Sequence, residues 1–172
     1  MRHRLALMPE LSDPQLLAEC DVDTYRGPGP GGQKRNKTSS AVRLRHPPTR
    51  LLVIAEESRS QHENKARALR RLRRALYLDL REPAPESPAD HPDFAPARGG
   101  DGRLHLSAKD PRFWPAAGVV LDVLAAMEAR VGDAAELLGT STGNLIDFLR
   151  ADPKLWQAAN QLRARAGQKP LR

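Results

Sequence analysis

Two hydrophobic periods divide the chain. In AVRLRH, residues 41–46, Val42, Leu44 and His46 alternate with Arg43 and Arg45, the period of two expected of a strand with one buried and one basic face. HPPTR reads as a turn, and the apolar run LLVIAEE after it predicts the adjacent strand of a hairpin. Upstream, SDPQLLAE predicts a short helix with Ser12 or Asp13 as N-cap and Pro14 at its first position, and CDVDTY predicts another strand. The period then changes. In SRSQHENKARALRRLRRALYLDL, Ala66, Leu69, Leu72, Leu76 and Leu80 fall on one helical face and leave Arg67, Arg70, Arg71 and Arg74 off it.

Residues 81–112 are rich in Pro, Asp and Gly and show little apolar periodicity, so they read as a flexible linker. Helical patterns resume from Phe113: VVLDVLAAMEARV, DAAELLG, STGNLIDFLRA and DPKLWQAANQLRARAG. Gly139 is placed to end one of these helices and Asp152-Pro153 to begin another. The predicted organisation is an α+β domain over residues 1–80, with a small mixed sheet and a loop against a long basic amphipathic helix. A linker over 81–112 and a small all-α domain over 113–172 follow it. The pair DAAELLG and STGNLIDFL has the outline of a helix-turn-helix, whose second helix offers Thr142, Asn144, Asp147 and Arg150.

Charge sharpens this division. Residues 24–76 hold 14 Lys and Arg against 3 Asp and Glu, a net +11, whereas the whole 172-residue chain is only +7. Between 113 and 172 the count is 7 basic against 6 acidic. The local excess predicts a polyanion partner with salt-dependent binding for the first domain. Aromatic residues make up only 4% of the chain, which favours backbone contacts to folded RNA over base stacking. Cys20 is alone, so no internal disulfide or cysteine zinc site is possible, and a reducing, cytoplasmic compartment is the default expectation. No apolar run reaches the length of a membrane span, and MRHRLALMPEL is too short for a signal peptide. The five histidines show no paired metal-ligand spacing. No metal and no cofactor are expected.

Two motifs match a pattern and fail its context. Gly27, Gly29 and Gly32 satisfy G-x-G-x-x-G, but the next strand begins near Ala41 and leaves no room for the helix that would carry a pyrophosphate. GTSTG at 139–143 satisfies the nucleophile elbow, yet it lies between helical segments and no histidine follows His105. Ser141 reads better as a helix N-cap. In PGPGGQ, residues 28–33, the prolines fix φ and the glycines open backbone angles closed to other residues, leaving Gln33 at the tip. Glutamine does not titrate, but its amide and backbone N–H can orient a water and stabilise an oxyanion. Composition alone favours a plain surface turn.

The runs DVDTYRGPGPGGQKRNKTSSAVRLRHPPT and ESRSQHENKARALRRLRRAL closely resemble the GGQ domain of bacterial class I peptide chain release factors. They are equally similar to the related codon-independent peptidyl-tRNA hydrolases that rescue stalled ribosomes. The resemblance covers about residues 18–78 and rests on Gly31-Gly32-Gln33, Asn36-Lys37, the strand SAVRLRH and the helix opening SRSQHENKA. It implies an enzyme whose loop enters the peptidyl transferase centre and promotes attack of water on the ester between peptide and tRNA. Gly31 and Gly32 would hold the loop's geometry, and Gln33 would position water and oxyanion, as a possible substrate for N-methylation by a glutamine methyltransferase. Arg26, Lys34, Arg35, Lys37, Arg43, Arg45, Arg59, Lys65, Arg67, Arg70, Arg71 and Arg74 would meet large-subunit ribosomal RNA or peptidyl-tRNA. No membrane contact is implied.

The chain departs from the family where Lys34 and Arg35 follow the glutamine, and at Arg50, where glycine is common after the Pro-Thr turn. It has too few residues for a stop-codon-reading domain, and its end is not a disordered basic tail, so codon-independent release is expected. The alternative is a release-factor-like protein that binds ribosomes or RNA without hydrolysis. A third reading, hydrolysis of peptidyl-tRNA away from the ribosome, lacks a group able to activate water unaided.

Overall fold

A computed structural model describes residues 11–26 and 39–172. The described chain divides into two compact units, residues 1–76 and 77–172. In the first, helix α1 (Asp13–Ala18) takes Ser12 as its N-cap, which puts Asp13 at the first helical position and Pro14 at the second, one later than expected. The backbone N–H of Ser12 donates to Gln15 Oε1 at 3.0 Å, so a side chain satisfies a donor that the helix start leaves open. Strands β1 (Asp21–Tyr25), β2 (Ala41–His46) and β3 (Leu51–Ala55) form a sheet in that order. Both pairings are antiparallel. The α+β class stands, but the sheet is not mixed as expected: with only residues 47–50 between β2 and β3, the second strand can only reverse direction.

The alternation in β2 is realised, with Val42, Leu44 and His46 buried and Arg45 exposed. In the turn, the Arg50 N–H donates to the His46 carbonyl at 2.8 Å, and Arg50 takes φ 63°. That left-handed backbone is the conformation for which glycine is ordinarily selected. His46 is fully buried, with Nδ1 2.7 Å from Thr49 Oγ1 and Nε2 3.3 Å from Glu19 Oε2.

Helix α2 (Gln61–Asp79) buries Asn64, Ala68, Leu69, Leu72 and Leu76. Two expected members of that face are displaced: Ala66 is half-buried, and Leu80 lies beyond the helix end. Asn64 and Ala68 take the central positions because they stand at i−8 and i−4 from Leu72.

In the second unit, α3 (Phe113–Ala126) is apolar on nearly every side and buries eight residues, from Phe113 to Leu124, as a central helix must. Around it lie α4 (Val131–Leu137), α5 (Thr142–Arg150) and α6 (Pro153–Arg165). Gly139 has φ 63° after α4, Ser141 Oγ accepts from the Asn144 N–H, and Asp152 accepts from the N–H groups of Lys154 and Leu155. These caps agree with the sequence reading. Helix resumes at Phe113 as the sequence suggests, but the first one stops at Ala126 and does not reach Val131, because Glu128 and Ala129 take φ 52° and 56°. No glycine announces that turn.

The expected flexible linker is corrected. Residues 81–112 contain 3₁₀ turns at Pro88–Asp90 and Ala95–Ala97 and a bridge between Arg98 and Leu104. Phe94, Ala97, Leu104 and Leu106 belong to the same buried cluster as α3–α6. Prolines here shape turns, and four well-placed apolar residues suffice to bury the segment without any period.

Arg81 and Asp122 tie this segment to α3. Arg81 Nη1 lies 2.7 Å from Asp122 Oδ1, which also accepts the Glu82 N–H at 3.0 Å. Burial pushes the Asp122 carboxyl up to about 6 despite the opposing pull of Arg81, and burial also lowers Arg81. Desolvation therefore outweighs the pairing, and the folded chain holds this proton to higher pH than the unfolded chain does. Asp122's contribution to stability is fully present below about pH 4 and is lost as pH rises through about 6. Denaturant unfolding of the parent and of Asp122→Asn, compared at pH 4 and pH 7, should show the parent losing ground to the variant at the higher pH.

Candidate functional site

Gly31, Gly32, Gln33, Lys34, Arg35 and Lys37 lie outside the described residues. What the structure supplies is the frame at either end of their segment. Tyr25 and Ala41 form the last register pair of β1 and β2, so the chain leaves the sheet and returns to it at one point. Two side chains secure these stems. On the outgoing side the Tyr25 hydroxyl donates to Glu56 Oε2 at 3.2 Å, just past the end of β3. Slight burial and then the Glu56 carboxylate raise the Tyr25 hydroxyl above its ordinary range, which keeps it protonated as a donor.

On the returning side Asn64 is fully buried and uses its whole amide. Its Nδ2 donates to the Ser40 carbonyl at 2.7 Å and the Ser58 carbonyl at 2.8 Å, while Oδ1 accepts the Ser58 N–H at 3.0 Å. Nearby, the Ser60 carbonyl accepts the Asn64 N–H at 3.0 Å and Ser60 Oγ accepts the Glu63 N–H at 3.3 Å, which starts α2. Asn64 thus joins the end of the glycine segment, the β3–α2 turn and the basic helix. In SRSQHENKA the sequence points to Arg59, Lys65 and Ala66 but not to Asn64. The available signal was a polar residue four positions before Ala68 on an otherwise apolar face.

The predicted cationic residues separate into distinct environments. Arg43 is held across the sheet, with Nε and Nη2 at 3.1 and 2.8 Å from Asp23 Oδ2. Arg45 stands exposed opposite Asp21. Arg71 donates to the Ile54 carbonyl and to Glu57, fastening α2 to the free side of β3. Its role includes holding the fold. Arg67 is 3.8 Å from Glu63 across one helical turn, and with Arg70 and Arg74 it forms a stripe at i, i+3 and i+7. Arg70, Arg59 and Arg26 are exposed, and Lys65, Arg67 and Arg74 half-buried. The structure therefore keeps a basic helix surface and a more balanced sheet surface.

Among the described residues no cluster of His, Cys, Asp and Glu could hold a metal ion, and no helix is long and apolar enough to cross a membrane. Burial first, then Glu19 and Asp21, push the Cys20 thiol up to about 11, so it is not a nucleophilic thiolate at neutral pH. Ser141 caps α5 between two helices and has no elbow around it. On α5, Asn144 Oδ1 accepts the Leu104 N–H at 2.7 Å, which commits one of the expected recognition residues to the interior.

Comparison with known proteins places this geometry. Residues 16–94 match the RF-1 domain. The chain is 44% identical over 86 residues to peptide chain release factor 1 of Magnetococcus marinus, covering 48% of this chain and 24% of that protein. It is 47% identical over 76 residues to peptide chain release factor 1 of Anaplasma marginale, covering 42% and 21% respectively. With peptide chain release factor 2 of Paramagnetospirillum magneticum the identity is 50% over 76 residues, covering 42% and 20%. The chain thus spans about a quarter or less of the length of these relatives. Residues 16–94, with Gly31-Gly32-Gln33 among them, are similar to the RF-1 domain of peptide chain release factors.

Proposed function

We propose that this protein is a codon-independent peptidyl-tRNA hydrolase that works at the peptidyl transferase centre of the ribosome and frees nascent peptide by ester hydrolysis. The observation that carries the reading is Gly31-Gly32-Gln33 within the RF-1 match, on a segment whose two stems are held by Tyr25–Glu56 and Asn64–Ser40. Fixed stems matter because a group that does not titrate contributes by position. Gln33 would orient the attacking water and donate to the developing oxyanion, while the ribosome holds the ester and excludes competing geometries. As the water oxygen bonds to the ester carbonyl carbon, the bond to the tRNA ribose oxygen breaks. The water's proton passes to that leaving oxygen directly or through surrounding RNA, since no side chain of the loop is proposed as a general base. No cofactor is required, and N-methylation of Gln33 by a methyltransferase would tune its packing.

Arg67 and Arg70 on α2, with Lys34, Arg35 and Lys37, would neutralise phosphates of large-subunit ribosomal RNA or tRNA. Purified protein mixed with ribosomes stalled on messages without a stop codon should release labelled peptide. Arg67→Gln with Arg70→Gln should weaken ribosome binding about tenfold and flatten its salt dependence. A ribosome footprint without any release would establish the non-catalytic alternative, which the cations following Gln33 favour.

A further inference from the structure

The near balance of charge between 113 and 172 hides a segregation that the fold makes physical. Residues 150–172 hold Arg150, Lys154, Arg163, Arg165, Lys169 and Arg172 against one acid, Asp152, a net +5. Elsewhere in the same unit arginines meet carboxylates: Arg81 with Asp122, Arg112 with Asp110, and Arg130 with Glu128 and Asp133. The six cations at the end of the unit make no ion pair among the described residues, and Asp152 is turned to the N–H groups that begin α6.

Four of them gather on one flank of α6. The segment after the helix folds back along it, with the Leu171 N–H donating to Asn160 Oδ1 at 2.7 Å. Arg163 Nε donates to the Lys169 carbonyl and Nη1 to the Ala129 carbonyl, both at 2.6 Å. Arg150 donates to the Arg172 carbonyl, and its guanidinium carbon lies 5.2 Å from the centre of the half-buried Trp156 ring. The two amide carbonyls that hold Arg163 fix its guanidinium in place without cancelling its charge. Arg163 is therefore a pre-oriented cation, which lowers the ordering cost of binding an anion.

We propose that this flank of α6, Arg150, Arg163, Lys169 and Arg172, is a contact surface for the phosphate backbone of RNA, separate from the GGQ-containing domain. Several unneutralised cations in one place suit a polymer of phosphates better than a single small anion. A bilayer is the poorer fit, because the exposed large apolar side chains among the described residues are Val22, Leu52, Ile54 and Leu137, none of them in this segment. The surface goes beyond the release reading and does not depend on it, since its readout is binding.

The test uses the full chain and a fluorescein-labelled oligouridylate, with affinity measured by anisotropy over a range of salt. Lys169→Glu with Arg172→Glu changes two exposed side chains that make no ion pair with Asp or Glu among the described residues, so folding should be unaltered, as a thermal melt would verify. The expected result is about a tenfold loss of affinity, with a salt slope smaller by about 1.4, two contacts at roughly 0.7 each for a single strand. Lys109→Glu with Arg103→Glu, two exposed cations of the same unit outside the flank, should change affinity much less. Equal losses in the two double variants, or no loss in the first, would overturn the proposal. So would binding of phosphatidylserine vesicles or polyglutamate that is lost in the flank variant while oligouridylate binding is unchanged.

Discussion

Gln33→Ala should lower the rate of peptide release at saturating protein by about a hundredfold to a thousandfold, the range seen when one oxyanion donor is removed. Binding to the ribosome should change little. The split follows from where the two kinds of interaction reside. Affinity would draw, through phosphate neutralisation, on the exposed cations of a region carrying 14 basic residues between 24 and 76. The hydrolytic step draws on one neutral amide, and an interaction made only as charge develops on the ester oxygen alters rate and leaves ground-state binding nearly intact. Gln33→Glu sharpens the case, because a carboxylate would face the developing oxyanion and should release no faster than the alanine variant. Measuring single-turnover release alongside ribosome pelleting separates the two effects. Near-parental release by Gln33→Ala would remove the glutamine from the mechanism, whatever the protein then does on the ribosome.

The first unit was legible because its cues are local. The Ser12 cap, the alternation of Val42, Leu44 and His46, and the leucines of α2 each act within a few residues. Residues 81–112 were misread because Phe94, Ala97, Leu104 and Leu106 are buried by partners that lie far along the chain and leave no period behind. Glu128 and Ala129 turn left-handed with no glycine to signal it. For the site, the GGQ positions came from resemblance and the basic helix from charge. The clamp at Asn64 and the structural employment of Arg71 needed coordinates, since both depend on carbonyls of β3, its following turn or the returning stem that sequence separation conceals.

Asn64 carries the largest stability prediction. Asn64→Ala removes three hydrogen bonds at once, leaving the Ser40 and Ser58 carbonyls and the Ser58 N–H without their partner. With roughly 1–3 kcal/mol for each buried group left unsatisfied, and partial rescue by water because both serines are half-buried, the expected loss is about 3–5 kcal/mol. Asn64→Asp is nearly isosteric and should fare little better: the oxygen replacing Nδ2 would face two carbonyl oxygens, and a carboxyl donates to neither when ionised and to only one when protonated. That pair of variants separates hydrogen bonding from packing, since the aspartate preserves volume while reversing polarity at one atom. Urea unfolding would show the loss as a lowered midpoint. Under conditions where the variant remains folded, peptide release should slow with ribosome affinity retained, because the stem at Ser40 no longer fixes the segment that carries Gln33. Arg67→Gln with Arg70→Gln should do the opposite, so the two variants distinguish a frame that positions the loop from a surface that binds RNA. A parental release rate in folded Asn64→Asp would show that the stem needs no such clamp.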